Sequence, residues 1–433
     1  MKGASDMIIN KDENQSIADC KVYVNGVFKK ADVAICNGEI CISAPTVGGS
    51  FATSDSNKNL FVFPGFADVH VHLREPGFSY KETIKSGTMS AARGGFVSVC
   101  SMPNLSPAPD SVENLGKQLE IIEKDACIHV LPYGAITSGR MGMELSDMEG
   151  MADKVAGFSD DGSGIQSDEL MKKAMLKAKA LGKMIVAHCE DVTLIEKGGC
   201  IHDGEYAQKN GFVGISSESE WKQVERDLKL VKEIGCAYHV CHISTKETVE
   251  LIRQAKADGL DVTCETGPHY LTMCDMDIKD EGRYKMNPPI RGEEDRQALL
   301  QGLIDGTVDM IATDHAPHSA EEKSKGLKDS SMGVVGLETS FAVLYTELVK
   351  TGIITLEKLV EVMSIAPAKR FSLPIGYENG SMCVFDLDKE YTVDPSEFLS
   401  MGKATPFEGK KVFGECVMTV YRGKAVYKKG KTI

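Results

Sequence analysis

The stretch FVFPGFADVHVHLREPG, Phe61 to Gly77, begins as an unbroken apolar run and ends in two histidines, an arginine and a Pro-Gly stop. An apolar run of this length bounded by a turn signal reads as a strand buried on both faces. Seven more runs of the same kind follow: FVSVCSMP, CIHVLPYGAI, VAGFSDDG, MIVAHCED, AYHVCHIS, DVTCETGPHYL and DMIATDHAPH. Helical stretches lie between them, among them Ser79–Arg93, Asp168–Leu181, Lys246–Asp258 and Glu294–Ile304, many with apolar residues three and four apart. Strands alternating with helices imply parallel βαβ units, and eight of them predict an α/β fold of the (β/α)8 TIM-like barrel type. A doubly wound open sheet is the competing topology. The lack of a GxGxxG turn after the first strand weakens its dinucleotide-binding form.

The two ends read differently. Short β-type runs broken by Asn-Gly turns occupy residues 17–63, and similar runs return in residues 375–433. The expectation is a small β-sandwich domain built from both ends, so that 1–63 and 375–433 flank a barrel over 64–374.

With 433 residues the chain can bury a substantial core. A formal charge of −14 argues against broad nucleic-acid binding or a basic membrane surface. No apolar stretch is long enough to span a bilayer, and the opening MKGASDMIINKDEN lacks the apolar segment of a secretory signal. Thirteen scattered cysteines without zinc-knuckle spacing fit a reducing, cytoplasmic setting.

The polar residues fall at the C-terminal ends of the apolar runs: His70, His72, Asn104, Asp161, His188, His242 and Asp314, with Asn287 in the loop KMNPP. In a barrel, that is the face where active sites form. Each histidine alone reads as a satisfied core residue. His70 and His72, two apart on one strand, point to the same side. Joined by His188, His242 and strand-end aspartates, they read as a metal site. Imidazole and carboxylate donors suit zinc, and also manganese, cobalt or ferrous iron. Four histidines and two aspartates exceed the roughly three protein ligands of one open catalytic zinc. They suit two metals about 3.5–4 Å apart. His129, His202 and His239 read as core or surface residues, and His269 and His315 as neighbours of the site. Strand alternation should turn Cys189 and Cys241 away from it.

DVHVHLREPG, MPN, SDDG, AHCED, VCHIS, KMNPPIR and ATDHAPH, in this order, resemble the amidohydrolase superfamily and within it the type I dihydroorotases. HxH alone is a superfamily feature; HLREPG with ATDHAPH is far more specific. The resemblance spans about residues 60–410. It implies that His70, His72 and Asp314 hold one metal, His188 and His242 the other, and that Asp161 rather than Asp160 bridges them. It implies zinc, with one or two ions and two favoured. Asp314 becomes the general acid–base of a reversible cyclisation of N-carbamoyl-L-aspartate to L-dihydroorotate and water in pyrimidine biosynthesis, with a metal-activated hydroxide in the ring-opening direction. His72, Arg74, Asn104, Asn287, His318 and the Met332–Gly333 backbone become substrate contacts. A guanidinium suits a carboxylate in two-pronged geometry; otherwise Arg74 would read as a partner of Glu75.

Two alternatives stand beside this. One is another cyclic-amide hydrolase, a hydantoinase or allantoinase. Those enzymes bridge their metals with a carboxylated lysine, whereas VAGFSDDG has none and Lys154 precedes it at the wrong end. The other is a non-catalytic barrel partnering aspartate transcarbamoylase. A homodimer, with association to that partner, is the expected assembly. Residues 319–331, polar and without an apolar stripe, read either as a solvated loop or as a lid.

Overall fold

The computed structural model describes residues 15–45 and 59–431. The opening MKGASDMIINKDEN, on which the expectation about a secretory signal rests, and part of the expected 1–63 unit lie outside them.

Eight parallel strands form the barrel: Phe66–Val71, Phe96–Ser101, His129–Ala135, Phe158–Ser159, Ile185–Ala187, Tyr238–Val240, Val262–Thr266 and Met310–Ile311. The third is broken at Tyr133; its first half pairs with the second strand and its second half with the fourth. The ring closes where Val71 bridges His315 and the His72 amide donates to the His315 carbonyl at 2.8 Å. The first two strands are buried at every position, as expected where helices cover one side and the barrel interior fills the other.

The first strand carries a bulge. Asp68 pairs with Val99 but Val71 with Ser101, so three steps on one strand face two on its neighbour. The Asp68 carboxylate closes this kink by accepting from the His70 amide at 3.0 Å. Its other oxygen accepts from the Thr313 amide at 3.1 Å and hydroxyl at 2.6 Å, tying the first strand to the eighth. Bulges re-aim side chains beside functional sites, and here the bulge delivers His70 and His72.

The first helix is shorter than its sequence suggests. It spans Ile84–Arg93, not Ser79–Arg93, because Thr83 caps it in a reciprocal pair with Ser86. The preceding residues are held as a loop, with the Glu75 carboxylate accepting from the Ile84 amide at 2.9 Å. The later helices, Asp168–Ala180, Lys246–Ala257 and Glu293–Asp305, lie within a residue of expectation.

Both ends of the chain share one curled seven-stranded sheet, in the order Lys424–Lys428, Lys411–Tyr421, Met382–Thr392, Leu60–Phe63, Gln15–Val24, Val27–Cys36, Glu39–Ser43. Strand alternation divides its side chains. Leu60 and Val62 join Val22, Val33, Val384 and Val420 in a core within the sheet. Phe61 and Phe63 enter an aromatic cluster with Phe28, Phe66, Phe341 and Phe385, which binds the sheet to the barrel. No helix among the described residues is long and apolar enough to cross a membrane.

Candidate metal centre

His70, His72, Asp161, His188, His242 and Asp314 converge at the C-terminal mouth of the barrel, and all are buried. Asp161 lies at the centre. Its Oδ1 is 3.4 Å from His70 Nε2 and 3.6 Å from both His188 Nδ1 and His242 Nε2; its Oδ2 is 3.6 Å from His72 Nε2. Asp314 Oδ1 lies 3.0 Å from His72 Nε2 and 3.5 Å from His70 Nε2. Two groups therefore share Asp161: His70 and His72 on one side, His188 and His242 on the other.

Most of these contacts are too long for good hydrogen bonds. Donors about 2.0–2.2 Å from a common tetrahedral ion are separated by roughly 3.3–3.6 Å, which is the spacing seen here. Asp161 Oδ1 and His70 Nε2 are buried and have no hydrogen-bond partner. An unsatisfied buried polar atom costs roughly 1–3 kcal/mol, and a shared cation removes that cost. Burial alone would raise the Asp161 and Asp314 carboxyls, but the surrounding imidazoles hold both well below the usual carboxylate range. The donor set thus fits metal ions.

Two of these residues have backbones in the left-handed region, His242 at φ 34° and Asp314 at φ 46°; neighbouring Arg74 has φ 61°. Such strain in residues other than glycine costs about 1–3 kcal/mol each and clusters at functional sites. The turn after His242 is over-determined: the Glu220 carboxylate accepts from the amides of Ser244 at 3.0 Å and Thr245 at 3.1 Å and from both hydroxyls. The turn also breaks strand alternation. Cys241 was expected to face away from the site, but it lies in one cluster with His70 and Glu265. Burial pushes its thiol far up, so it stays protonated. Cys189 does turn away, toward the Tyr238 hydroxyl at 3.3 Å.

Glu265, at the end of the seventh strand, is a functional residue that sequence reasoning missed. Its Oε1 accepts from His70 Nδ1 at 2.8 Å and its Oε2 from His239 Nε2 at 3.0 Å. Burial opposes its ionisation, yet the hydrogen bonds from His239 and His70 and the His70 charge bring it down to about 2. A carboxylate on the outer nitrogen fixes a ligand histidine's tautomer and raises its basicity. Glu190 was also missed; it lies 3.6 Å from His188 Nε2 and accepts from Asn287 Nδ2 at 2.8 Å. Both sit at strand ends, the same signal that marked the ligands.

Arg74, His318, Asn104, Met332 and Gly333 are tied to neighbouring groups. Arg74 is buried, and its Nε donates to the Pro317 carbonyl at 3.2 Å. His318 Nε2 donates to the Met332 carbonyl at 2.8 Å, and its Nδ1 lies 3.3 Å from Lys81 Nζ. Burial with Arg74 and Lys81 drives His318 down to about 3, so its ring is neutral. Asn104 Nδ2 donates to the Asp161 carbonyl at 2.8 Å and to Asp161 Oδ2 at 3.1 Å. The Gly333 amide donates to the Lys285 carbonyl at 3.0 Å. Asp160 holds the loop after the third strand, accepting from the Ile136 and Thr137 amides at 2.8 and 3.1 Å. Lys154 is exposed, before the fourth strand begins.

Residues 319–331 are anchored rather than freely solvated. Leu327 is fully buried, its amide donates to Asp280 at 2.8 Å, and Lys323 Nζ donates to the carbonyls of Lys285 and Ser331. Glu322 pairs with Lys81 at 2.9 Å. The other histidines have separate partners: His129 with Ser98, His202 beside Arg291, and His315 beside Glu82 and Ser400. His269 is buried, its Nε2 without a hydrogen bond.

Residues 59–248 match the family described as Dihydro-orotase-like. A dihydroorotase from Fusobacterium nucleatum is 51% identical over 420 residues, covering 95% of this chain and 98% of the relative. One from a Geobacillus species is 46% identical, covering 94% and 97%. Among solved structures, an L-hydantoinase (dihydropyrimidinase) from Arthrobacter aurescens superposes with a TM-score of 0.83 at 28% identity, covering 96% of this chain and 97% of that one. The fold is that of the amidohydrolases, and likeness of this extent over nearly the whole chain shows that it belongs to the dihydroorotase family.

Proposed function

We propose that this chain is a dihydroorotase whose reaction centre is the strand-end cluster around Asp161. The enzyme acts on a cyclic amide, interconverting L-dihydroorotate and N-carbamoyl-L-aspartate in pyrimidine biosynthesis. The observation that carries the assignment of residues is the placement of Asp161 between two histidine pairs, with Asn104 hydrogen-bonded to it. His70, His72 and Asp314 would hold one zinc ion and His188 and His242 the other, with Asp161 common to both. Bound metal ions supply an activated water and polarise the carbonyl oxygen.

The protein's own groups do the rest. Arg74, with His72, Asn104 and His318, orients the substrate carboxylate; Asn287 and the Met332–Gly333 backbone meet the ring. In ring opening, Asp314 accepts the proton of the attacking water and delivers it to the ring nitrogen as the amide C–N bond breaks. In cyclisation the ureido nitrogen attacks the side-chain carboxyl carbon, and protonated Asp314 helps expel water, as reversibility requires.

The same reading treats 64–374 as the catalytic barrel and 1–63 with 375–433 as one accessory β unit. It takes the protein as a cytoplasmic homodimer able to associate with aspartate transcarbamoylase. Thirteen scattered cysteines without zinc-knuckle spacing support the reducing setting. Co-migration of purified chain and transcarbamoylase on a sizing column tests the association.

The deciding experiment pairs metal analysis with a dihydroorotate ring-opening assay. About two zinc ions per chain and ring opening lost on chelation are expected. Full activity in metal-free protein would overturn the scheme. A panel including hydantoin and allantoin tests the substrate.

A further inference from the structure

Arg140 belongs to the loop after the third strand, and neither the metals nor the substrate contacts above use it. Its Nη2 donates to the main-chain oxygen of Asp161. Asn104 Nδ2 donates to that same oxygen at 2.8 Å. Two donors on one acceptor lie side by side, so the guanidinium stands next to the amide at the carboxylate end of the substrate site.

Three further observations show that this position is built. First, the loop is pinned at its root, where the Asp160 carboxylate accepts from Ile136 and Thr137 and the Thr137 hydroxyl accepts from the Gly142 amide at 3.0 Å. Second, Arg140 itself has a left-handed backbone, φ 57°, a conformation that costs a side-chain-bearing residue energy. Third, Gly162 keeps the space between the two donors open; a Cβ there would sit 2.8 Å from Asn104 Nδ2 and 3.6 Å from Arg140 Nη2.

The guanidinium is under-used. A guanidinium offers five N–H groups. Here one meets a carbonyl, and Nε is buried with no hydrogen-bond partner. The remaining N–H groups have no partner among the described residues, and an oxygen ligand reaching the guanidinium would satisfy them.

Resting on the dihydroorotase reading, we infer that Arg140 is a further substrate-binding residue, standing beside Asn104 and taking a carboxylate oxygen of the substrate with its own free N–H groups. It is a binding residue rather than a proton carrier, because a guanidinium stays charged throughout the working pH range. The competing role is a prop that only steadies Asp161.

The test uses full-length, zinc-loaded wild type, Arg140→Met, Arg140→Gln and Arg140→Lys. It measures ring-opening kinetics, zinc content and calorimetric binding of orotate, an unreactive carboxylate-bearing ring. For Met and Gln, KM and the orotate Kd are expected to rise at least ~10-fold while kcat changes less than ~3-fold, the signature of lost uniform binding. Zinc content should equal that of wild type. Lysine should recover part of the loss, as a point charge without the fork. Unchanged KM and orotate binding would overturn the inference. A fall in zinc content and kcat at constant KM would also overturn it and assign the prop. If wild type opens no dihydroorotate, the reading of the reaction fails instead.

Discussion

His70 turns its outer nitrogen onto Glu265 at 2.8 Å, whereas His188 turns its outer nitrogen toward Glu190 only at 3.6 Å. The first half of the centre stands on a relay that continues from Glu265 to His239 Nε2 at 3.0 Å and from His239 Nδ1 to Thr263 at 2.8 Å. Asp68 adds a tie between the His70 amide and Thr313, the residue before Asp314. In the second half, His188 Nε2 and His242 Nδ1 are buried without hydrogen-bond partners. The lesson is one of division: Glu265 and Asp68 lock His70 and the turn that carries Asp314, while the outer nitrogens of His188 and His242, like that of His72, are buried without partners and left to be fixed by the ion. Since outer partners set ligand basicity and orientation, the two halves should differ in affinity.

The largest effect should come from the ligand the halves share. Asp161→Ala removes a donor from both, so zinc content should fall in both sites and turnover on the order of 10⁴-fold or more. Retention of two ions per chain would break the picture of a common carboxylate. Asp314→Asn comes next. It keeps an oxygen near His72 but cannot carry the proton, so turnover should drop about 10³-fold, within the range of general acid–base catalysis. Zinc content should stay above half of wild type. Near-normal turnover in that variant would remove Asp314 from its role.

Chelation asks about the difference between the halves directly. Graded chelator should remove zinc in two phases, with the His188/His242 ion leaving first. A single phase would show that the outer partners make no difference.

Much of this arrangement was legible in the chain. Polar residues at the ends of apolar runs mark the mouth of a barrel whatever the helices do, because strand direction alone decides it. What alternation could not supply were the places where the backbone departs from it. The bulge at Asp68–Val71 and the left-handed turn at His242 re-aim side chains by one position, which is why Cys241 lies beside His70. The early start assigned to the first helix failed for a similar reason. Residues 79–83 have acceptable helical composition, but Glu75 and the Thr83–Ser86 pair stop the helix at Ile84. Glu265 and Glu190 were illegible as partners because their meaning depends on which imidazole nitrogen they face, a matter of three-dimensional register.

Glu265→Gln keeps shape but removes the charge on His70 Nδ1. Loss of such an outer partner typically costs about 10–100-fold in metal affinity or activity, and the upper part of that range is expected because His70, Glu265 and His239 are all fully buried. The zinc affinity of the first half should weaken until both chelation phases merge.

The smallest effect, and the sharpest comparison, belongs to Glu190→Gln. At 3.6 Å the carboxylate exerts charge on His188 without a hydrogen bond, and it is partly exposed, so solvent screens it. Zinc affinity in the second half should fall less than ~10-fold, below the range of a hydrogen-bonded outer partner. A second consequence separates Glu190 from Glu265: it accepts from Asn287, the residue placed on the substrate ring. Glutamine can still accept that bond, so KM should change little, whereas Glu190→Ala frees Asn287 and should raise KM with kcat nearly constant. Equal metal losses in Glu190→Gln and Glu265→Gln would mean that distance to the outer nitrogen is not what distinguishes the two halves.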